Sequence, residues 1–414
     1  MRVGILMQGL EGRQTGVARY MQELLRAMAG LPDCPQIVIL TDGDLSPLGP
    51  ALEQLERVED RTLKLLFKLM GWLTRLIGFR LAYISIGSII APLASKRLRL
   101  DLIHDLTGLL PNGFGAGGAR VITTLHDLIS YANPGTNDWM DDLVQFRWLP
   151  LMAPKVDAMI TVSRSAGEDA VRYLKMRPQQ IHMVHHGVLP IYQQQSQTRL
   201  EAVRTKYGLP PEFILFVGAV VERKNLRRVL EACTTLWARG QGLPLVVVGP
   251  TSARSSGILS AVRASGLAER VQFTDYVPES DLPSLYAAAS VFVYPSLYEG
   301  FGIPVIEAMA CGTPVITSTV SSLPEVAGEA ALTVDPTSSD AIRAALESLL
   351  SNPALREDLR ARGLAQAAKF TWDRAARETL LVYRQTVSQP LPDQALPDQP
   401  LPDQPLPGKP QTSV

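Results

Sequence analysis

Two glutamates, Glu299 and Glu307, stand eight positions apart in YEGFGIPVIEAMACGTP (298–314), with Gly300, Gly302 and Pro304 between them. The strand-like SVFVYP ends just ahead of this stretch, and Pro304 suits the first turn of a helix that stops at Gly312. That order predicts unpaired N–H groups at Gly302, Ile303 and their neighbours. They would form an anion site at a helix N-terminus, on the carboxyl end of a parallel strand. Gly300 and Gly302 would let a phosphate or a sugar approach the backbone closely. A carboxylate accepts two hydroxyl hydrogen bonds, as a diol presents them. Glu299 falls ahead of the anion site, and Glu307 falls about one turn inside the helix, where the dipole is expected to keep it ionised. The competing reading is a solvated pair of carboxylates at a helix start.

Three further clusters fall at the same kind of position. After FILFVG comes AVVERKNLRRVLEA, with Arg223, Lys224 and Asn225 where a helix begins. Cations there oppose the helix dipole unless an anion lies between them and the sheet, so a diphosphate is the natural guest. Gly16 opens GVARY, a second helix start with backbone donors. His126 and Asp127 close the strand-like Val121–Leu125. Two other patterns are set aside. Gly113, Gly115 and Gly118 spell GxGxxG, but RVITTLHD follows them, so no helix meets a pyrophosphate. Asp42 and Asp44 have the D-x-D form of a metal clamp but read as turn residues after a strand. No metal is expected.

The elements that must position these residues alternate between strand-length apolar runs and amphipathic helices. Strands are predicted at Val3–Met7, Ile37–Thr41, Asp101–His104, Val121–Leu125, Ala158–Val162 and Ile181–Val184. A second series follows at Phe213–Val217, Leu245–Val248, Val271–Thr274, Val291–Tyr294, Val315–Thr317 and Ala331–Val334. Continuous Val/Ile runs imply parallel sheets covered on both faces. Two series in a chain of 414 residues imply two doubly wound α/β domains. Residues 1–192 form the first and 199–371 the second, with polar QQQSQT (193–198) between. The helix 372–387 crosses back to the first domain. Residues 388–414 are read as a disordered, Pro-rich tail.

Lys and Arg total 40, as do Asp and Glu, which gives no global electrostatic reason to bind nucleic acid. Cys34, Cys233 and Cys311 form no CxxC pair and fit free thiols in a reducing cytosol. The N-terminal apolar run is too short for a signal peptide. Residues 61–100 hold eight Lys/Arg and no acid, and Arg61, Lys64, Lys68 and Arg75 recur at helical spacing. With Trp72 and Phe67 on its apolar side, such a helix suits an anionic membrane surface. The alternative is a helix packed on its own sheet with a solvated basic edge.

Taken together, GVARYMQELL, TLHDL, ITVSRSA, HHGV, FVGAVVERKNL, YVPESDLPSLY, YPSLYEGFGIPVIEAMACGTPVI and SSLPEVAGEAALTVDP resemble the retaining glycosyltransferases of family 4. The stretches run in that family's order from residue 16 to 336. The resemblance implies the GT-B fold, two Rossmann-like domains facing an interdomain cleft. It also implies a hexosyltransferase that takes a GDP- or UDP-sugar donor and a glycan or lipid-linked acceptor. On that pattern Glu307 would bind the ribose and Glu299 the transferred sugar. Arg223, Lys224 and the backbone of Phe301, Gly302 and Ile303 would hold the diphosphate. His126 would contact donor sugar or acceptor, Gly16 would sit by the phosphates, and backbone at Tyr276 and Val277 would meet the base. Asp275 and Ala219 depart from the pattern, so the base contacts are less defined and the cation role falls to Arg223. The expected setting is cytoplasmic, at a membrane face. The alternatives are a small soluble acceptor, or a nucleotide-sugar-binding protein without turnover.

Overall fold

The computed structural model describes residues 1–7, 16–41, 55–110, 115–132, 139–250, 262 and 267–389. Two fully parallel sheets organise them. The first runs in the order β3-β2-β1-β4-β5-β6-β7 and the second β10-β9-β8-β11-β12-β13. The first comprises β1 (Arg2–Leu6), β2 (Gln36–Leu40), β3 (Glu56–Arg57), β4 (Leu102–Asp105), β5 (Arg120–Leu125), β6 (Ala158–Thr161) and β7 (Ile181–Met183). The second comprises β8 (Ile214–Val217), β9 (Leu245–Val248), β10 (Val271–Phe273), β11 (Val291–Tyr294), β12 (Val315–Ser318) and β13 (Ala331–Val334).

All twelve expected strands form, each end within one residue of its expected place. The thirteenth, β3, was not expected, because Glu56–Arg57 carries no apolar pattern. It is an edge strand pairing Val38 and Ile39, tied to the sheet by the ion pair of Glu56 with Arg2. In each sheet the order reverses between two adjacent strands, β1/β4 and β8/β11. Ligands of such folds bind outside the carboxyl ends of the strands at that reversal.

The helices α1 (Gly16–Ala29), α2 (Arg61–Ile77), α3 (Phe79–Leu98), α4 (Arg164–Leu174), α5 (Leu226–Ala238), α6 (Ile303–Ala310), α7 (Leu323–Ala327) and α8 (Trp372–Ser388) flank the sheets. Helix α8 returns from the second sheet to the first. Its Trp372, Ala376, Leu380 and Tyr383 share one core with Val3, Ile5 and the Tyr20–Leu24–Met28 stripe of α1. The tail from residue 390 lies outside the described residues, as do Asp42, Asp44 and Gly113. Gly115 and Gly118 take positive φ (79° and 109°) in a loop that leads into β5, not into a helix.

One expectation about α2 is corrected. Phe67 and Trp72 are not on one side: Phe67 is fully buried against α3, whereas Trp72 is exposed. Five residues of helix rotate a side chain by about 140°, so the two cannot share a face. The basic stripe separates two apolar faces. No helix among the described residues is long and apolar enough to cross a membrane.

Candidate active site

The β8/β11 reversal gathers the charged residues. The loop after β8 carries Arg223 and Lys224 in a short 3-10 turn ahead of α5, and the loop after β11 carries Glu299. Asn225 adopts a left-handed conformation (φ 62°), and its side-chain amide donates to the carbonyls of Pro295 (2.9 Å) and Pro336 (2.7 Å), fastening this loop to those after β11 and β13. Lys224 Nζ lies 2.7 Å and Arg223 Nη1 2.8 Å from Glu299 Oε1. The Tyr294 hydroxyl donates to the same oxygen at 3.0 Å. All three contacts converge on Oε1.

Burial opposes the charge on Glu299, but Lys224 and then Arg223 outweigh it and bring its pKa down to about 2. Burial lowers Lys224, and Glu299 is what resists that shift. For Arg223 the attraction of Glu299 overcomes burial and raises its pKa. Asp127 adds a second carboxylate within electrostatic reach of both cations. Any anion entering here would compete with two carboxylates for the two cations.

Glu307 sits differently from expectation. Burial raises its pKa, so the helix dipole does not decide its charge. It is the fifth residue of an eight-residue helix, and dipole effects fade beyond the first turn. Its Oε2 accepts from the Tyr286 hydroxyl (3.0 Å), and Oε1 faces Arg19 Nη1 of α1 at 3.3 Å. Arg19 also pairs with Glu279, so it bridges from the first sheet's helix to two carboxylates of the second unit. The sequence reading took GVARY only as a helix start; its one cation was the available signal.

The helix start at Gly302–Ile303 forms where the sequence placed it. Gly302 caps α6 at φ 110°, and a Cβ there would meet Leu323 Cδ2 at 2.7 Å, so only glycine suits it. The Ser322 hydroxyl lies 2.9 Å from the Glu299 carbonyl and 2.6 Å from that of Phe301, fixing the peptide planes. Among the described residues no acceptor meets the N–H groups of Phe301, Gly302 and Ile303. The Phe301 ring is buried, stacked on His186 at 5.0 Å. Tyr276 is exposed, Val277 packs in the core of the second unit, and Asp275 beside them takes φ 53°. Gly16 begins α1, and a Cβ on it would meet nothing within 4 Å among the described residues.

The two units meet over this cluster. The Ser163 hydroxyl caps α4 and donates to the Gly300 carbonyl at 2.7 Å. Tyr298 bridges the Leu128 N–H and Asp169, and Glu325 of α7 accepts from the Arg164 N–H and faces His185 at 2.6 Å. His126 Nε2 donates to the Leu106 carbonyl (2.9 Å) with its ring edge-on to Tyr20. A Cβ on Gly300 would overlap the His126 carbonyl oxygen. Gly300→Ala should therefore hold the units apart and lower kcat about 100-fold while the affinity for a free nucleoside diphosphate changes far less. Titration calorimetry beside steady-state rates checks this, and an unchanged kcat would show that close approach is not required. Two cavities, of about 650 and 460 Å³, lie elsewhere, at the Pro190–Lys206 region and at the Met1–Arg384 edge.

Histidines gather behind the site. His104 sits between the Tyr383 hydroxyl (2.7 Å) and Thr124 (2.9 Å), and burial brings its pKa down to about 3. Burial also holds His126 and His186 below their ordinary value. The buried His186 was not singled out from sequence, beyond its place in HHGV. It is stacked on Tyr20 and Phe301, and neither ring nitrogen meets a partner among the described residues. A histidine kept neutral in the fold contributes stability that is complete above its unfolded pKa near 6.5 and is lost as pH falls below it. The loss is about 1.4 kcal/mol per pH unit for each group. Glu299 acts only lower, between its ordinary value and about 2, and Glu307, whose pKa is raised, acts in the opposite sense. Lowering pH from about 7.5 to about 5.5 should thus cost roughly 3 kcal/mol through His104 and His186 alone. Differential scanning fluorimetry measures the corresponding fall in Tm; a flat Tm across that window would contradict it.

Residues 14–190 match the family model described as Glycosyltransferase Family 4, and residues 201–366 match Glycosyl transferases group 1. The chain is 30% identical over 374 residues to O-antigen chain mannosyltransferase B of Escherichia coli, covering 89% of this chain and 96% of that one. It is 30% identical over 326 residues to the MMP alpha-(1->4)-mannosyltransferase of Mycolicibacterium hassiacum, covering 72% and 73%. The fold matches Anabaena HepE, solved in complex with UDP and glucose, with a TM-score of 0.70 at 16% identity over 93% of this chain and 100% of that one.

Proposed function

The chain belongs to glycosyltransferase family 4, and from that premise we propose that it moves a mannosyl residue from a nucleotide-sugar to a glycan or lipid-linked acceptor in cell-envelope polysaccharide synthesis. The setting is the cytoplasmic face of a membrane. The observation that carries the reading is the convergence of Arg223 and Lys224 on Glu299 beside the N–H groups of Phe301, Gly302 and Ile303, which meet no acceptor among the described residues. The name of the Escherichia coli relative supports mannose and a cell-envelope product.

In the reaction, the bond between the sugar C1 and the diphosphate oxygen breaks, and its electron pair stays on the phosphate. Charge grows on that oxygen as the sugar becomes oxocarbenium-like. Arg223, Lys224 and the N–H groups of Phe301, Gly302 and Ile303 are fixed where that charge develops, so they act on the transition state more than on the ground state. Glu299 keeps the two cations ionised and in place through Oε1, and Oε2 is the acceptor for a hydroxyl of the transferred sugar. The acceptor hydroxyl attacks C1 from the face the leaving group vacates, and its proton passes to the departing phosphate, giving retention. Glu307 receives the ribose hydroxyls, for which Arg19 must turn aside. Backbone at Tyr276 and Val277 meets the base, and His126 closes the sugar side.

A panel of GDP- and UDP-sugars tests the reading by thermal shift and then by transfer to a mannose-terminated acceptor. GDP-mannose should raise Tm and be turned over. Turnover of another donor in its place would overturn the choice of sugar, and absence of any transfer would overturn the activity.

A further inference from the structure

Helix α2 offers more than a basic stripe. Its buried face is Leu63, Phe67 and Met70, packed on α3. On the solvent side Leu65 (67% exposed), Leu69 (41%), Trp72 (59%) and Leu76 (67%) recur at steps of four, three and four, a continuous apolar ridge. Lys64, Lys68 and Arg75, all exposed, run beside it as a parallel row. No acidic residue occurs from 61 to 100.

The topology also says where this ridge points. Helices α2 and α3 form an antiparallel hairpin whose open end is closed by the Arg97–Asp60 pair (2.8 Å), where α3 hands the chain to the amino end of β4. The hairpin tip, Gly78, therefore lies toward the carboxyl end of the first sheet, the end that faces the cleft. Consistent with this, a Cβ on Gly78 would stand 3.4 Å from Met140, in the segment that follows the carboxyl end of β5. That segment exposes Leu143 and Phe146 with Arg147, extending apolar and basic surface along the same rim.

We propose that α2 lays the Leu65–Leu69–Trp72–Leu76 ridge into the surface of an anionic bilayer, with Lys64, Lys68 and Arg75 on the headgroups and the cleft mouth turned toward the membrane. Apolar insertion and headgroup attraction reinforce each other in such a helix. A second copy of the chain suits the surface less well, since two such faces would oppose like charges. The proposal builds on the reading of a lipid-linked acceptor and adds the surface and orientation that serve it.

Flotation of the full chain tests it, using phosphatidylcholine vesicles with and without phosphatidylglycerol. The wild type should float only with phosphatidylglycerol, and less at high salt. The variant Leu65→Ser/Leu69→Ser/Trp72→Ser/Leu76→Ser should lose binding about tenfold or more, with an unchanged Tm because the side chains are exposed. The variant Lys64→Ser/Lys68→Ser/Arg75→Ser should lose the preference for the anionic lipid. Wild type that stays unbound, or ridge variants that bind as wild type does, would overturn the proposal. So would a ridge that holds a dimer in sedimentation velocity and binds no vesicle. Transfer to a water-soluble acceptor, measured on the same proteins, should survive the ridge substitutions. Its loss in the wild type would count against the proposed activity and not against the surface.

Discussion

Glu299→Gln is expected to lower kcat by a factor of about 10²–10³ while the dissociation constant for a nucleoside diphosphate moves by less than about tenfold. The amide preserves the shape and the Tyr294 hydrogen bond but removes the only carboxylate among the described residues bound directly to both Arg223 and Lys224. Two consequences follow in opposite directions. A competitor for the cations is lost, which favours the diphosphate. At the same time Lys224, whose pKa burial already lowers, loses the charge that sustains it. Turnover should therefore fall further on the alkaline side, with the high-pH limb of the profile displaced to lower pH than in the wild type. Gln is the informative substitution because Ala would also remove the oxygen on which Arg223, Lys224 and the Tyr294 hydroxyl converge. A kcat within severalfold of wild type would remove Glu299 from the mechanism.

Lys224→Met should cost about 10³-fold in kcat, and Lys224→Arg should not restore it. Lys224 is partly buried, its methylene stem 3.7 Å from the position a Cβ would take on Gly218 and its ammonium 4.7 Å from the centre of the Tyr294 ring. A planar guanidinium does not fit where a compact ammonium does. Methionine matches the stem but would leave the proposed leaving group with Arg223 and the α6 backbone alone, and removing one fixed charge aimed at a developing charge costs several kcal/mol of transition-state stabilisation. Single-turnover rates at saturating donor measure this directly. A loss confined to KM would mean that Lys224 binds substrate and transition state equally.

The sequence was informative where local chemistry decides structure. Strand runs such as Leu245–Val248 and Val291–Tyr294 are short, continuously apolar and β-branched, which suits a buried parallel strand, and Pro304 suits the first turn of a helix. Glu299, Arg223 and Lys224 were legible because each follows a strand end in a turn. What escaped depends on residues far apart in the chain. Arg19 meets Glu307 across 288 positions, and no periodicity encodes that pairing. Burial in the tertiary structure raises the Glu307 pKa against the pull of Arg19 and the Tyr286 hydroxyl, whereas local sequence shows only the helix start. Phe67 and Trp72 look alike in composition and differ only in which face α3 covers. His186 owes its place to Tyr20, Phe301 and Trp372, three separate elements.

The central claim is that this site breaks the bond between a sugar and a diphosphate and forms the new bond on the same face. The anomeric configuration of the product made from GDP-α-mannose, read by NMR of the isolated glycan, tests it most directly. An α-linked mannosyl product is the expected result; a β-linked product, or none, would contradict it.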